Sequence, residues 1–251
     1  MDLHRDRDHH RSVITLLGAA DELVADVESL VRSTVGHLDL AGHEGVHPRF
    51  GVVDVLPFVP LGSATMADAV VLRDETARWL GDDLGLPSFL YGPMSDGSLR
   101  TLPEVRREAF RTLSPDVGPR SLHPTAGAVA VGARDVLVAW NIWLSGISLE
   151  RARQLAADVR GPGVRALGLE VDGAVQVSCN LIDPTRVTPD TVLDAVADAM
   201  GQEGSVLRCE LVGLAPIAVL EGIPESRLAE LDLSWDRTIE AAAQARGLSI
   251  R

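Results

Sequence analysis

The chain has 251 residues, room for one large domain or two small ones. Its 36 acidic side chains outnumber 23 basic ones for a net charge of −13, and without a Lys/Arg block this balance disfavours nucleic acid as a partner. No lysine is present, which excludes Schiff-base, pyridoxal-phosphate and P-loop chemistry and leaves arginine, histidine or backbone N–H groups to hold an anion.

The opening run Met1-Asp2-Leu3-His4-Arg5-Asp6-Arg7-Asp8 is charged and lacks the apolar core of a secretion signal. No apolar stretch approaches the roughly 18–20 residues that span a bilayer. A cytoplasmic protein with no membrane partner is expected. Ser12 to Gly18 reads as a short strand, rich in β-branched residues and closed by glycine. Ala19 to Gly36 follows as an amphipathic helix, with Leu23, Val24, Val27, Leu30 and Val31 recurring at spacings of three and four. His37 to Arg49 is a polar connection, and Phe50 to Leu61 is strand-like, with Pro57 and Pro60 setting its exit. Ala64 to Leu84 is a second helix, capped by Ser63 or Thr65 and ended near Gly85. Ser88 to Tyr91 is a strand, 93–101 a loop, and Pro103 to Leu113 a short helix.

Residues 115–127 form an irregular segment punctuated by proline and glycine. Gly127 to Val138 and Val138 to Leu144 read as strands, and Leu149 to Val159 as a helix closed by Gly161-Pro162-Gly163. Val164–Val171 and Ala174–Leu181 are strands joined by Asp172-Gly173, the strongest hairpin signal in the chain. A helix runs from Thr188 to about Met200, a last strand covers Val206–Gly213, and Ala215 to Leu220 and Glu225 to Arg246 are helical. Strands and helices mixed with a true hairpin argue for α+β layers rather than a doubly wound parallel sheet. The order of the second half fits a ferredoxin-like two-layer unit. A boundary near Gly132–Arg134 gives domains of 1–133 and 134–251. Cys179 and Cys209 are too sparse for a disulfide framework or a zinc site and read as buried thiols.

One loop concentrates chemistry. His43-Glu44-Gly45-Val46-His47-Pro48-Arg49 carries two imidazoles, a carboxylate and a guanidinium just before a strand. Histidine exchanges protons near neutral pH, arginine offers a planar fork to a carboxylate, and Pro48 biases His47 toward an extended backbone. Taken alone, these residues suit either an acid/base site or a solvated loop with incidental histidines. His4, His9 and His10 lack the accompanying ligands of a metal centre, so no metal is expected.

A resemblance sharpens this. His47 to Leu61 resembles the HPRMGALDVCPFIPV segment of glutamate formiminotransferases. Phe89-Leu90-Tyr91-Gly92 resembles that family's YLYGE, Leu102 to Arg107 its LPxVRxGE, and Asp116-Val117-Gly118-Pro119 its PDFGP. Gly127 to Arg134 resembles GATAVGAR, Ala139 to Leu144 AFNINL, Gln176 to Asp183 QVSTNLLD, and Glu210 to Pro216 ELVGLVP. These matches fall in order along the chain.

The resemblance implies two ferredoxin-like α/β sandwich subdomains with mixed or antiparallel sheets and a folate groove between them. It implies transfer of a formimino group from N-formimino-L-glutamate to N5 of tetrahydrofolate, in histidine breakdown and one-carbon metabolism, by a homodimer. The family's catalytic histidine corresponds to His47, as general acid/base. Arg49, Asp54 and Arg11 match substrate-side positions, Arg49 for a carboxylate and Asp54 for orienting the imidazole or the fold. The folate-contacting stretch corresponds to Gly118, Pro119, Arg120, Ser121, Leu122, His123, Pro124, Thr125, Ala126 and Gly127. Its glycines would let the backbone approach a flat pterin. Tetrahydrofolate would be a co-substrate.

The sequence departs from the family pattern in places. The strand and helix with which members open are not matched, which reads as an N-terminal truncation. Trp143 replaces the second asparagine of AFNINL, Phe50 a methionine, and Val46 often a glutamate. The cyclodeaminase half of bifunctional members is not matched. Two other readings fit the same residues: a catalytically silent folate-binding homologue, and an enzyme acting on a related one-carbon amine or amidine.

Overall fold

The computed structural model describes residues 2–45, 47, 49–171 and 173–250. The first half forms β1 (Asp2–Asp6), β2 (Arg11–Thr15), α1 (Ala20–His37), β3 (Val55–Phe58), α2 (Met66–Leu84), β4 (Ser88–Pro93), β5 (Leu99–Arg100), α3 (Leu102–Glu108) and β6 (Val129–Ala133). The second half forms β7 (Val138–Ser145), α4 (Leu149–Asp158), β8 (Val164–Val171), β9 (Ala174–Leu181), α5 (Pro189–Met200) and β10 (Ser205–Val212). Three short helices close it: α6 (Ile217–Glu221), α7 (Glu225–Leu228) and α8 (Ile239–Gln244). The fold is α+β. By contact it divides into two units. One holds residues 2–17, Gly45, His47 and Val136–Ile250; the other holds Gly18–Glu44 and residues 49–135. Residues 2–17 therefore group with the C-terminal half.

The C-terminal unit is built on an antiparallel sheet ordered β10-β7-β9-β8. With β7 counted as the first strand this is the 4-1-3-2 order of a βαββαβ ferredoxin-like sandwich. Asp172, in the turn joining β8 to β9, lies outside the described residues. Alternation puts Val138, Trp140, Ile142, Leu144, Val177, Cys179, Leu181 and Leu211 on one face. They make an apolar core with Leu155 of α4 and Val192 and Val196 of α5. Trp140 is fully buried, and its Nε1 donates to the Leu231 carbonyl at 2.8 Å. Burial in this layer pushes the thiols of Cys179 and Cys209 up to about 12, helped at Cys209 by the nearby carboxylates of Glu230 and Asp232. Both cysteines stay protonated and inert.

The other unit carries a mixed sheet ordered β3-β6-β4-β5, with β3 and β4 parallel to β6 and β5 antiparallel to β4. This layout departs from the 4-1-3-2 order. Pro57 sits on the edge strand β3, where its missing N–H interrupts only one side. Thr65 and Asp68 form a reciprocal capping box at the start of α2, and Gly85 ends that helix in the left-handed region at φ +62°. Phe89, Tyr91, Val105, Ala128 and Ala130 form the core beside α3, with Phe50 packed against it.

The N-terminal run, for which the sequence carries no expectation of a strand or helix, is a strand: its inward positions Asp2, His4 and Asp6 alternate with exposed Leu3 and Arg5 and pair with β2. Two expectations are corrected. The strand from Phe50 shrinks to Val55–Phe58, because the Asp54 carboxylate takes the Phe50 N–H at 2.8 Å and bends residues 50–54. The helix over 225–246 breaks into two. Asp232 adopts φ +56°, its carboxylate accepts the Leu211 N–H at 2.8 Å, and Leu228, Leu231 and Leu233 all turn into the core. Burial of three leucines outweighs continuation of the helix.

Thr65→Ala is expected to remove the reciprocal cap of α2 and lower stability by about 1 kcal/mol, read as a lower urea midpoint at unchanged m-value.

Candidate functional site

The candidate site residues fall into two sets, one in each unit. In the C-terminal unit, the hairpin β1–β2 presents Asp2, His4, Asp6, Arg11, Val13 and Thr15 on its half-buried face. Arg11 stands directly opposite Asp6 in the register. The turn between the strands is closed by Asp6, whose Oδ1 accepts the N–H of Asp8 at 2.9 Å and of His9 at 2.8 Å. His10 completes it at φ +49°, with its N–H donating to the Arg7 carbonyl at 3.1 Å. The buried His9 ring points Nδ1 at Asp6 Oδ2, 2.7 Å away. Burial opposes charge on Asp6, but the bonds from His9 prevail and hold its carboxyl below the usual range.

His47, half-buried, is delivered to this turn. Its ring centroid lies 5.9 Å from that of His9, with the planes inclined by 57°. Gly45 makes the approach possible: a Cβ there would stand 2.1 Å from the His9 carbonyl oxygen. Val46 and Pro48 lie outside the described residues, and with them the expected directing effect of Pro48.

The face of the antiparallel sheet opposite its apolar core is polar. Glu210 of β10 gathers it, accepting Asn141 Nδ2 at 3.1 Å and Trp143 Nε1 at 2.8 Å. Arg208 stacks on the Trp143 ring at 4.3 Å, and His4 Nε2 stands 3.8 Å from Glu210 Oε1. Trp143 thus fills its asparagine-replacing position with a donor of its own, on the face away from Trp140. The hairpin and this face make one layer of charged and hydrogen-bonding groups within the unit.

In the N-terminal unit, the segment after His47 is locked to the 118–127 loop. Gly51 bridges Gly127, Ala128 N–H donates to the Phe50 carbonyl at 2.9 Å, and Val52 N–H donates to Ala126 at 3.0 Å. A Cβ on Gly51 would lie 1.9 Å from the Ala128 oxygen, and one on Gly127 2.2 Å from the Phe50 oxygen. Gly127 also needs its φ of +73°. Leu40 N–H closes the assembly on Thr125 O at 2.7 Å. At the other end of the loop, a Cβ on Gly118 would meet Leu86 O at 2.6 Å. These glycines therefore serve close contact within the protein itself. Gly118, Pro119, Arg120, Ser121, Leu122 and Pro124 are exposed, whereas Ala126 and Gly127 are buried. His123 is held by its own loop, its Nδ1 accepting the Ala126 N–H at 3.1 Å.

Arg49 is exposed and reaches back to donate to the His43 carbonyl at 2.7 Å. Asp54 is engaged by the Phe50 N–H and by a close ion pair with Arg106, whose guanidinium also lies over the Phe50 ring at 5.6 Å. Sequence reading did not single out Asp6, His9 as a partner of Asp6, Glu210 or Arg106. Arg106 and Glu210 lay inside matched segments, but nothing local marks their partners 52 and 69 residues away. No group of three or more metal-ligating side chains occurs among the described residues, and no described helix is long and apolar enough to cross a membrane.

The description "Formiminotransferase domain, N-terminal subdomain" matches residues 1–134 of the chain. The chain is 32% identical over 257 residues to the glutamate formimidoyltransferase of Streptococcus pyogenes serotype M1, covering 95% of this chain and 86% of that protein. It is 30% identical to the protein of the same name from Thermoplasma acidophilum, covering 86% of this chain and 78% of that one. It is 32% identical to the formimidoyltransferase-cyclodeaminase of Gallus gallus over 82% of this chain but only 42% of that protein.

Gly127→Ala is expected to force apart the contact with Phe50 and to cost about 2 kcal/mol or more, since steric overlap adds to the strain of a positive φ. Thermal unfolding checks this, with Gly173→Ala, also at positive φ but with open space around it, as the milder comparison.

Proposed function

The chain belongs to the formiminotransferase family, and from that premise we propose that it transfers the formimino group of N-formimino-L-glutamate to N5 of tetrahydrofolate. The observation that carries the reading is the locking of residues 50–52 onto the 118–127 loop. Two segments some seventy residues apart, one next to an acid/base histidine and one matching a folate-contacting stretch, become a single rigid element. An oriented pair of substrates is the larger part of catalysis in a two-substrate transfer.

The chemistry runs through His47. N5 attacks the electrophilic formimino carbon, and the N5 proton passes to the imidazole. The tetrahedral adduct then collapses, its bond to the glutamate nitrogen breaks, and that nitrogen takes the proton back from His47. The products are formimino-tetrahydrofolate and glutamate, with His47 regenerated. One imidazole serves both transfers because its free pKa lies near neutrality. Arg49 and Arg11 are the cations proposed for substrate carboxylates; each offers a planar fork in a chain without lysine. Asp54 acts by fixing the 50–54 turn through Phe50 and Arg106. The exposed arc from Gly118 to Pro124 offers Leu122 to an aromatic ring and Arg120 to the folate glutamate. Tetrahydrofolate is in this reading a co-substrate, and the working form is a homodimer.

His47→Ala should lower turnover of formimino-glutamate with tetrahydrofolate by about 10²–10⁴-fold while folate affinity stays near that of the unaltered protein. Full activity in that variant would place the base elsewhere. Folate binding with no transfer by the unaltered protein would favour a silent folate-binding homologue. Sedimentation at micromolar concentration reads the oligomeric state, a mass of two chains being the expected result.

A further inference from the structure

His9 has no part in the transfer as described, yet its surroundings are more specific than a core histidine needs. It is 2% exposed and sits at the tip of a hairpin, where side chains ordinarily project into water. Its backbone N–H and its Nδ1 both address one carboxylate, that of Asp6, at 2.8 and 2.7 Å. Asp6 is kept ionised by those same contacts. The His9 ring also lies 5.9 Å, centroid to centroid, from the ring of His47. The turn is pressed so closely on Gly45 that no side chain fits between them. Asp6 thus neighbours His9, and His9 neighbours the proposed base.

We propose that His9 is a positioning residue for His47, fixed in tautomer and orientation by Asp6 and carrying the charge of that carboxylate toward the base. The inference rests on the reading of His47 as the acid/base. His9 Nδ1 lies 2.7 Å from Asp6 Oδ2, so a proton on that nitrogen would face the carboxylate and leave the Nε2 edge for another partner. When His47 takes up the N5 proton, its new positive charge develops beside an imidazole already polarised by a carboxylate. That arrangement holds the His47 ring in place and favours the protonated intermediate, as a buried carboxylate does for a single base. No proton leaves His47 for His9: the proton taken from N5 is the one returned to the glutamate nitrogen.

The test uses the whole protein and four single variants, with steady-state kinetics in both substrates and a melting curve for each. Asp6→Asn keeps the Oδ1 acceptor that closes the turn and removes only the charge. His9→Phe keeps a ring and removes the link to Asp6; His9→Ala removes both. Asp6→Asn and His9→Phe should each lower kcat between about tenfold and a hundredfold, with KM for both substrates within about twofold. The double variant should fall no further than the worse single, because the two act as one unit. If His9→Phe restores the kcat lost in His9→Ala, the residue is packing only and the proposal fails. It fails equally if Asp6→Asn keeps normal kcat, or if KM rises while kcat holds. His47→Ala separates the two levels: an inactive His47→Ala beside a fully active Asp6→Asn overturns the role of His9 alone. An active His47→Ala overturns the acid/base reading as well. Should His9→Phe melt early, Asp6→Asn decides by itself.

Discussion

The contact between Gly51 and Gly127 is the constraint on which the 118–127 loop and its neighbours depend. Two backbones cross there with a carbonyl oxygen in the volume where a Cβ would stand, on both sides. No other residue type fits either position without displacing main chain, and main chain is the least yielding neighbour a side chain can meet. Everything nearby is hung from this crossing. The Phe50 carbonyl receives Ala128, the Ala126 carbonyl receives Val52, and Leu40 is tied to Thr125. Phe50 is thereby held against Phe89, edge to ring at 6.0 Å, and Arg106 is held between Phe50 and Asp54. A loop anchored in this way has little backbone entropy left to lose.

The C-terminal unit solves a different problem. One face of its antiparallel sheet is buried against helices and is wholly apolar, so that face sets the register. The other face is free to be polar and is organised around one carboxylate. Glu210 is only partly exposed, and it has two N–H donors, the Arg208 guanidinium and the His4 imidazole as neighbours, the company a poorly solvated carboxylate requires. Into the same unit the first fifteen residues bring a hairpin whose inner positions are all polar except Val13. His47 stands beside that hairpin, its ring 5.9 Å from the His9 ring and the chain at Gly45 pressed on the His9 carbonyl.

Much was legible in sequence. Helix positions followed from apolar spacing and caps: α2 begins at Thr65 and ends at Gly85, where Thr-x-x-Asp and a terminal glycine say it should. The strands β8 and β9 fell where Asp172-Gly173 and alternation put them. Trp140 and Trp143 took opposite faces because a strand has period two. Local rules failed where a long-range bond competed. Asp54 bent a stretch that reads as strand. Asp232, by accepting the Leu211 N–H, turned a stretch that reads as helix. The charged opening hid a strand because its inward polar side chains have partners, His4 at Glu210 far along the chain and Asp6 in the turn that follows it.

By itself the sequence determined the α+β class, the longer helices and the hairpin, the absence of lysine chemistry, and the segments whose resemblance names the family. Those are properties of residue type and short spacing, and they survive without coordinates. Only the tertiary structure decided that residues 2–17 group with the C-terminal half, that Gly51 and Gly127 touch, that Asp54 serves Arg106, and that Asp6 and His9 stand behind His47. Each of these is a pairing across dozens of residues. A sequence can show that a carboxylate and an imidazole exist, but which of them meet is fixed by backbone packing that no local pattern encodes.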